Sequence, residues 1–93
     1  MPQFIIQCWD KPQAQELRAA TRPAHLDYVN SGAVKLIAVG PMLTDDGQPF
    51  GSLLIIEAED RPAAERFAAE DPYARAGLFD RVDVTLWRQV FPA

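Results

Sequence analysis

The sequence predicts an α+β domain of order βαββαβ, and three observations carry that prediction. Four short, β-rich apolar runs recur along the chain, at residues 3–9, 34–39, 51–58 and 82–90. Polar, alanine-rich stretches separate the first run from the second and the third from the fourth. Between the second and third runs lies Thr44-Asp45-Asp46-Gly47-Gln48-Pro49, turn chemistry that closes a hairpin. Two βα units with right-handed crossovers then make a four-stranded antiparallel sheet with its helices on one face, the ferredoxin-like arrangement.

Each element follows from local chemistry. Gln3 to Trp9 forms the first strand, closed by Asp10-Lys11-Pro12. Gln13 to Ala20 is polar and alanine-rich, hence helical. Thr21-Arg22-Pro23-Ala24 then interrupts. Thr21 can cap a helix, and proline is tolerated in a first turn, where its missing N–H has no partner to lose. Deep inside a helix the same ring costs about 3 kcal/mol. A reset near Thr21 is therefore expected, with a second segment running to Ser31-Gly32. The next strand ends at Gly40-Pro41, and the third spans Gly51 to Ala58. Asp60 caps a helix that begins Arg61-Pro62-Ala63, runs to about Glu70 and is stopped by Asp71-Pro72. Residues 73–79 form a short helical turn or a loop around Gly77, before the last strand, Val82 to Val90. The Thr21 and Asp60 starts would occupy equivalent places in the two halves, and His25 and Tyr28 are what differ.

Ninety-three residues make a single domain, 1–93, with no room for a second core. A 48% hydrophobic content supports a packed interior, and a net charge of −4 offers no footprint for nucleic acid. There is no long apolar run for a membrane span and no leader pattern at the start, so a cytoplasmic protein is expected. The lone Cys8 excludes an internal disulfide and a cysteine metal site. One histidine among scattered acids makes no dense metal-ligand set. Neither a phosphate-binding glycine loop nor a dinucleotide fingerprint is present, so no cofactor is expected.

The central strands are apolar on both faces. Simple alternation puts Leu36 and Ala38 opposite Ile37 and Val39, and Leu53 and Ile55 opposite Leu54 and Ile56. Two short helices cover only one face. A second copy of the chain is the simplest cover for the other, which predicts a homodimer packed sheet to sheet.

His25 is the only histidine, and its ordinary pKa of about 6.5 suits proton transfer near neutrality. It shares a helical stripe with Arg22 and Val29. The competing assignment is a boundary histidine hydrogen-bonded to a neighbour. Asp71 is the best partner on sequence, at a helix end where a carboxylate gains nothing from the dipole, although Asp-Pro is also a plain turn former. Gly40 and Gly51 frame the hairpin, where glycine permits either close backbone approach to a ligand or a bulge. Ser52 has no basic sequence neighbour that would activate it. Cys8 alternates with Phe4 and Ile6 as a buried hydrophobe, and Tyr73 is one of five aromatics, with Trp9, Trp87, Phe50 and Phe79, able to wall a pocket.

Several short pieces then line up: Arg22-Pro23-Ala24-His25-Leu26-Asp27-Tyr28, Gly40-Pro41, Asp46-Gly47 with Gly51-Ser52-Leu53, Asp71-Pro72-Tyr73 with Ala76-Gly77-Leu78, and Val84 to Trp87. In this order they resemble the YciI-like, or YCII-related, family across nearly the whole chain. The resemblance implies a ferredoxin-like domain that dimerises into an α+β barrel, with a pocket between helix and sheet where a histidine and an aspartate pair, here His25 and Asp71. Related dimeric barrels include a dehydrochlorinase and muconolactone isomerases. The expected function is acid–base proton transfer on a small anionic or phenolic molecule. His25 serves as base and then acid, Asp71 orients it, Arg22 holds a substrate carboxylate or enolate, Tyr73 contributes to the pocket, and the Gly40 or Ser52 backbone supports an oxyanion. Two alternatives stand beside it: a non-catalytic ligand-binding or accessory domain, and a structural dimer in which His25 and Asp71 form a buried ion pair.

Overall fold

Phe4, Ile6 and Cys8 of β1 (Gln3–Asp10) alternate into the interior, and the whole sheet is organised around them. The computed structural model describes all 93 residues, Met1–Ala93. After β1 come α1 (Gln15–Val29), β2 (Lys35–Leu43), β3 (Pro49–Glu57), α2 (Arg61–Glu70), the single turn α3 (Pro72–Arg75) and β4 (Phe79–Trp87). The strands lie in the order β2-β3-β1-β4, all antiparallel. This is the ferredoxin-like α+β fold that the sequence predicts, with strand limits moved by up to four residues.

Three cross-sheet rows face the helices. Leu36, Ile56, Phe4 and Leu86 form one, and Val39, Leu54, Ile6 and Val84 the next. The third is Pro41, Ser52, Cys8 and Val82. The first two rows are wholly apolar and, apart from the exposed Leu86, build the core, which Phe67, Ala64 and Val29 close from the helix side. Only the third carries a hydroxyl, and that row borders the site. Leu36 and Val39 share a face because the pairing shifts by one residue between Leu36 and Ala38. Ile37 is the extra residue of this bulge, which corrects the strict alternation expected for that strand.

Helix α2 starts as predicted. The Asp60 carboxylate accepts from the Ala63 amide at 2.9 Å, and Pro62 occupies the first turn. Helix α1 departs from expectation: it runs without a break through Thr21 and Pro23, and Thr21 caps nothing. Proline removes one hydrogen bond to the Ala19 carbonyl, but Pro23 and Ala19 are both exposed, so water can replace it. Packing on either side of Pro23 holds the helix through the defect. The two T/D-R-P-A segments therefore do not occupy equivalent positions. The chain leaves α1 at Asn30, short of the predicted Gly32, which follows at φ +85°.

Turn α3 ends in a Schellman arrangement. Leu78 N–H donates to the Tyr73 carbonyl and Gly77 N–H to that of Ala74, with Gly77 at φ +78°. This geometry fixes Tyr73 and buries Leu78 completely. No helix is long and apolar enough to cross a membrane.

Candidate active site

A helix that only covered a sheet would bury leucines and valines. Helix α1 instead buries Arg18 and His25 beside Val29. These two side chains lie two turns apart on one face and reach a cavity of about 430 Å³ between α1 and the third sheet row.

His25 is 5% exposed. Its Nδ1 lies 2.9 Å from Asp71 Oδ1 and 3.0 Å from Oδ2. A carboxylate accepts, so the proton in this bond sits on Nδ1, which makes Nε2 the nitrogen able to accept a proton. Nε2 has no protein partner, yet no side-chain nitrogen or oxygen is both sealed and unpartnered. It therefore opens into the cavity that His25 lines. The imidazole stacks on Tyr73, with ring centroids 4.1 Å apart and an interplanar angle of 18°.

Asp71 is held from the other side by its own backbone neighbour. Its Oδ1 accepts from Tyr73 N–H at 2.9 Å, so the residue ends α2 and caps α3 at once. This corrects the expectation of a carboxylate stranded at a helix end. The Asp71-Pro72-Tyr73 tripeptide thus places both the partner and the stacking surface of His25.

Arg18 is the residue that sequence reading missed. Its Nε donates to Asp10 Oδ2 at 2.7 Å, while Nη2 donates to Asp10 Oδ1 at 3.0 Å and to Ser52 Oγ at 2.8 Å. The guanidinium carbon is 4.6 Å from the centroid of Tyr73. Burial works against the Arg18 charge, and the hydrogen bonds and charge of Asp10 outweigh it, raising its pKa above the ordinary value. Burial likewise pushes the Tyr73 phenol up, with Arg18 and Arg22 pulling it partly back. Ser52 has no basic neighbour in sequence, but the fold brings one from 34 residues away.

The remaining candidates divide. Gly40, Ser52 and Arg22 all line the cavity. Gly40 pairs with Leu53, so its missing side chain would point to the far face of the sheet and it meets the cavity through its backbone. Arg22 is exposed at the rim and makes no ion pair. Of the five aromatics, only Tyr73 lines the cavity. Phe79 supports it edge-on at 6.0 Å, and Trp9 lies under Arg81 elsewhere. No group of three or more His, Cys, Asp or Glu side chains comes together as a metal-holding set.

A model of the YCII-related domain matches residues 2–88. Protein YciI of Escherichia coli O6:H1 (strain CFT073) is 34% identical over 96 residues, covering 95% of this chain and 98% of that protein. Among solved structures, the chain is similar to a 5-chloro-2-hydroxyhydroquinone dehydrochlorinase (TftG) from Burkholderia phenoliruptrix AC1100 in complex with 2,5-dihydroxybenzoquinone. The TM-score is 0.85 and identity 35%, over 94% of each chain. An antibiotic biosynthesis monooxygenase shares the fold at TM-score 0.59 and 19% identity, covering 97% of this chain and 99% of that one. Matched over nearly its full length by the domain model and by YciI, the chain belongs to the YCII-related domain family.

Proposed function

We propose that this protein is a small cytosolic enzyme that moves a proton on a compact, oxygenated ring substrate, with His25 as the acid–base and Asp71 as its orienting partner. One observation carries the reading: Nδ1 is committed to a buried carboxylate at 2.9 Å, while Nε2 is left free at the cavity. A base of this kind takes a proton from a carbon or hydroxyl next to a carbonyl and returns it at another atom. The Asp71 charge offsets the imidazolium formed in between, and the hydrogen bond to Nδ1 holds the tautomer that keeps Nε2 basic. The buried Tyr73 ring backs the imidazole and holds its plane, and Arg22 adds positive charge at the mouth. The similarity to a dehydrochlorinase bound to a hydroxylated quinone supports a ligand of this size and shape. The working form is a homodimer through the sheet face that no helix covers.

The experiment is a turnover screen of hydroxylated quinones such as 2,5-dihydroxybenzoquinone, polyhydroxybenzenes and their chlorinated forms, on wild type, His25→Gln and Asp71→Asn. A substrate should emerge whose turnover falls by about 10²–10⁴-fold in His25→Gln. Asp71→Asn should fall by a comparable factor, and imidazole ¹⁵N spectra should lose the Nδ1–H preference. Full turnover in His25→Gln would sink the acid–base reading. Saturable binding without any turnover would favour a ligand-binding domain instead.

A further inference from the structure

The cavity wall contains two arginines and a histidine but no aspartate or glutamate, in a chain whose net charge is −4. Arg22 stands exposed at the rim. Arg18 is only 8% exposed, and its guanidinium is held on one edge: Nε and Nη2 are taken up by Asp10 and Ser52. Nη1 has no protein partner, and no side-chain nitrogen is both sealed and unpartnered, so this edge opens to the cavity. A buried, immobilised guanidinium with one free edge costs little further side-chain entropy when it binds an acceptor.

We propose that Arg18 anchors a negatively charged ring oxygen of the substrate, which makes small cyclic enolates and phenolates the class that this site takes. The inference rests on His25 as the acid–base for its mechanistic meaning, although the anchor itself is a binding property. Arg18 and His25 both touch the ring of Tyr73, at 4.6 and 4.1 Å from its centroid. Their heads therefore flank that ring, and a small ring compound in the cavity reaches both along the edge of Tyr73. When His25 Nε2 takes a proton from a ring C–H beside a carbonyl, the C–H electron pair becomes a C=C bond. The carbonyl π pair moves onto oxygen, and that oxyanion sits on Arg18. Where a ring C=C is conjugated with that enolate, return of the proton from Nε2 to the far carbon of the C=C shifts the double bond, discharges the oxyanion and re-forms the carbonyl. A donor already aimed at the oxygen where charge develops needs no reorganisation. The Asp10 pair keeps Arg18 charged and fixed, and Arg22 supplies the uncompensated positive charge that draws an anion in.

The test is calorimetric binding of two probes, 2,5-dihydroxybenzoquinone, which is anionic at neutral pH, and 2,5-dimethoxybenzoquinone, which cannot ionise. Wild type should prefer the hydroxy compound at least tenfold. Arg18→Lys keeps the charge but loses the free edge of the planar fork, and should lose most of that preference while binding the methoxy compound as before. His25→Gln should retain the preference, which separates this inference from the acid–base reading. Equal binding of both probes by wild type, binding of neither, or an undiminished preference in Arg18→Lys would each overturn the anchor. If Arg18→Lys does not fold, the Arg18 side-chain ¹⁵N–¹H signals of wild type give the same answer. They should shift on adding the hydroxy compound but not the methoxy one, and an unmoved signal removes the proposal.

Discussion

Cys8 and Tyr28 are both held protonated by their surroundings, and the consequence appears at high pH. Burial pushes the Cys8 thiol from 9.0 to about 12, with the Asp71 charge adding to it. Burial likewise takes the Tyr28 phenol from 10.0 to about 12, helped by Glu70 and Asp71, while its hydroxyl donates to the Phe67 carbonyl at 2.8 Å. In the unfolded chain both groups release their protons at the lower values. Above those values the unfolded state binds fewer protons than the folded one, so stability falls with rising pH. The contribution is complete below pH 9, declines from there, and is lost as pH passes 12. The urea midpoint should therefore drop between about pH 8 and about pH 11, and less steeply in Cys8→Ala and Tyr28→Phe. An unchanged wild-type midpoint over that range would contradict the burial of both groups.

At the scale of elements, α1 carries a stability defect that its site makes tolerable. Pro23 sits in the middle of the helix and is exposed. Pro23→Ala restores the hydrogen bond to Ala19 and removes the ring clash, a gain of about 3 kcal/mol in a helix interior. The greater freedom of the unfolded alanine chain takes back up to about 1 kcal/mol. The variant should thus be about 2–3 kcal/mol more stable by urea titration, and a lower midpoint than wild type would show the proline to be structurally required. The same helix marks the limit of local sequence reading. Asp60-Arg61-Pro62 and Thr21-Arg22-Pro23 carry the same start signal, and only the first begins a helix. What overrides the second is tertiary: Arg18 is tied to Asp10 before the proline and His25 to Asp71 after it. The hairpin, the four strands and the Asp60 cap were legible because each depends on residues close in the chain. The bulge at Ile37 was not, since strict alternation carries no mark of an inserted residue.

For the whole molecule, legibility follows sequence separation. His25 and Asp71 are 46 residues apart; the helix-end position of Asp71 makes it the best candidate on sequence, but the pairing leans chiefly on family resemblance. Arg18 is not singled out by the sequence, because nothing local to it announces Asp10, Ser52 and Tyr73 converging upon it. The uncovered sheet face was legible, since it needs only the alternation of strands. There Ala38, Ile55, Ile5 and Thr85 form one continuous row across all four strands, with Leu53 in the next row. Both helices lie on the other side, and the apolar Ala38, Ile55, Ile5 and Leu53 left on this face favour association. A second copy of the chain would cover this face, and in the proposed homodimer a two-fold pairing is expected to bring Ile55 into the contact. By sedimentation velocity the wild type should run at twice the 10.4 kDa chain mass. Ile55→Lys places a desolvated charge in that contact and should run as a single chain at the same concentration. Leu86→Lys, on the helix side and already 62% exposed, should leave the dimer intact. A monomeric wild type, or a dimer that survives Ile55→Lys, rules out assembly through this face.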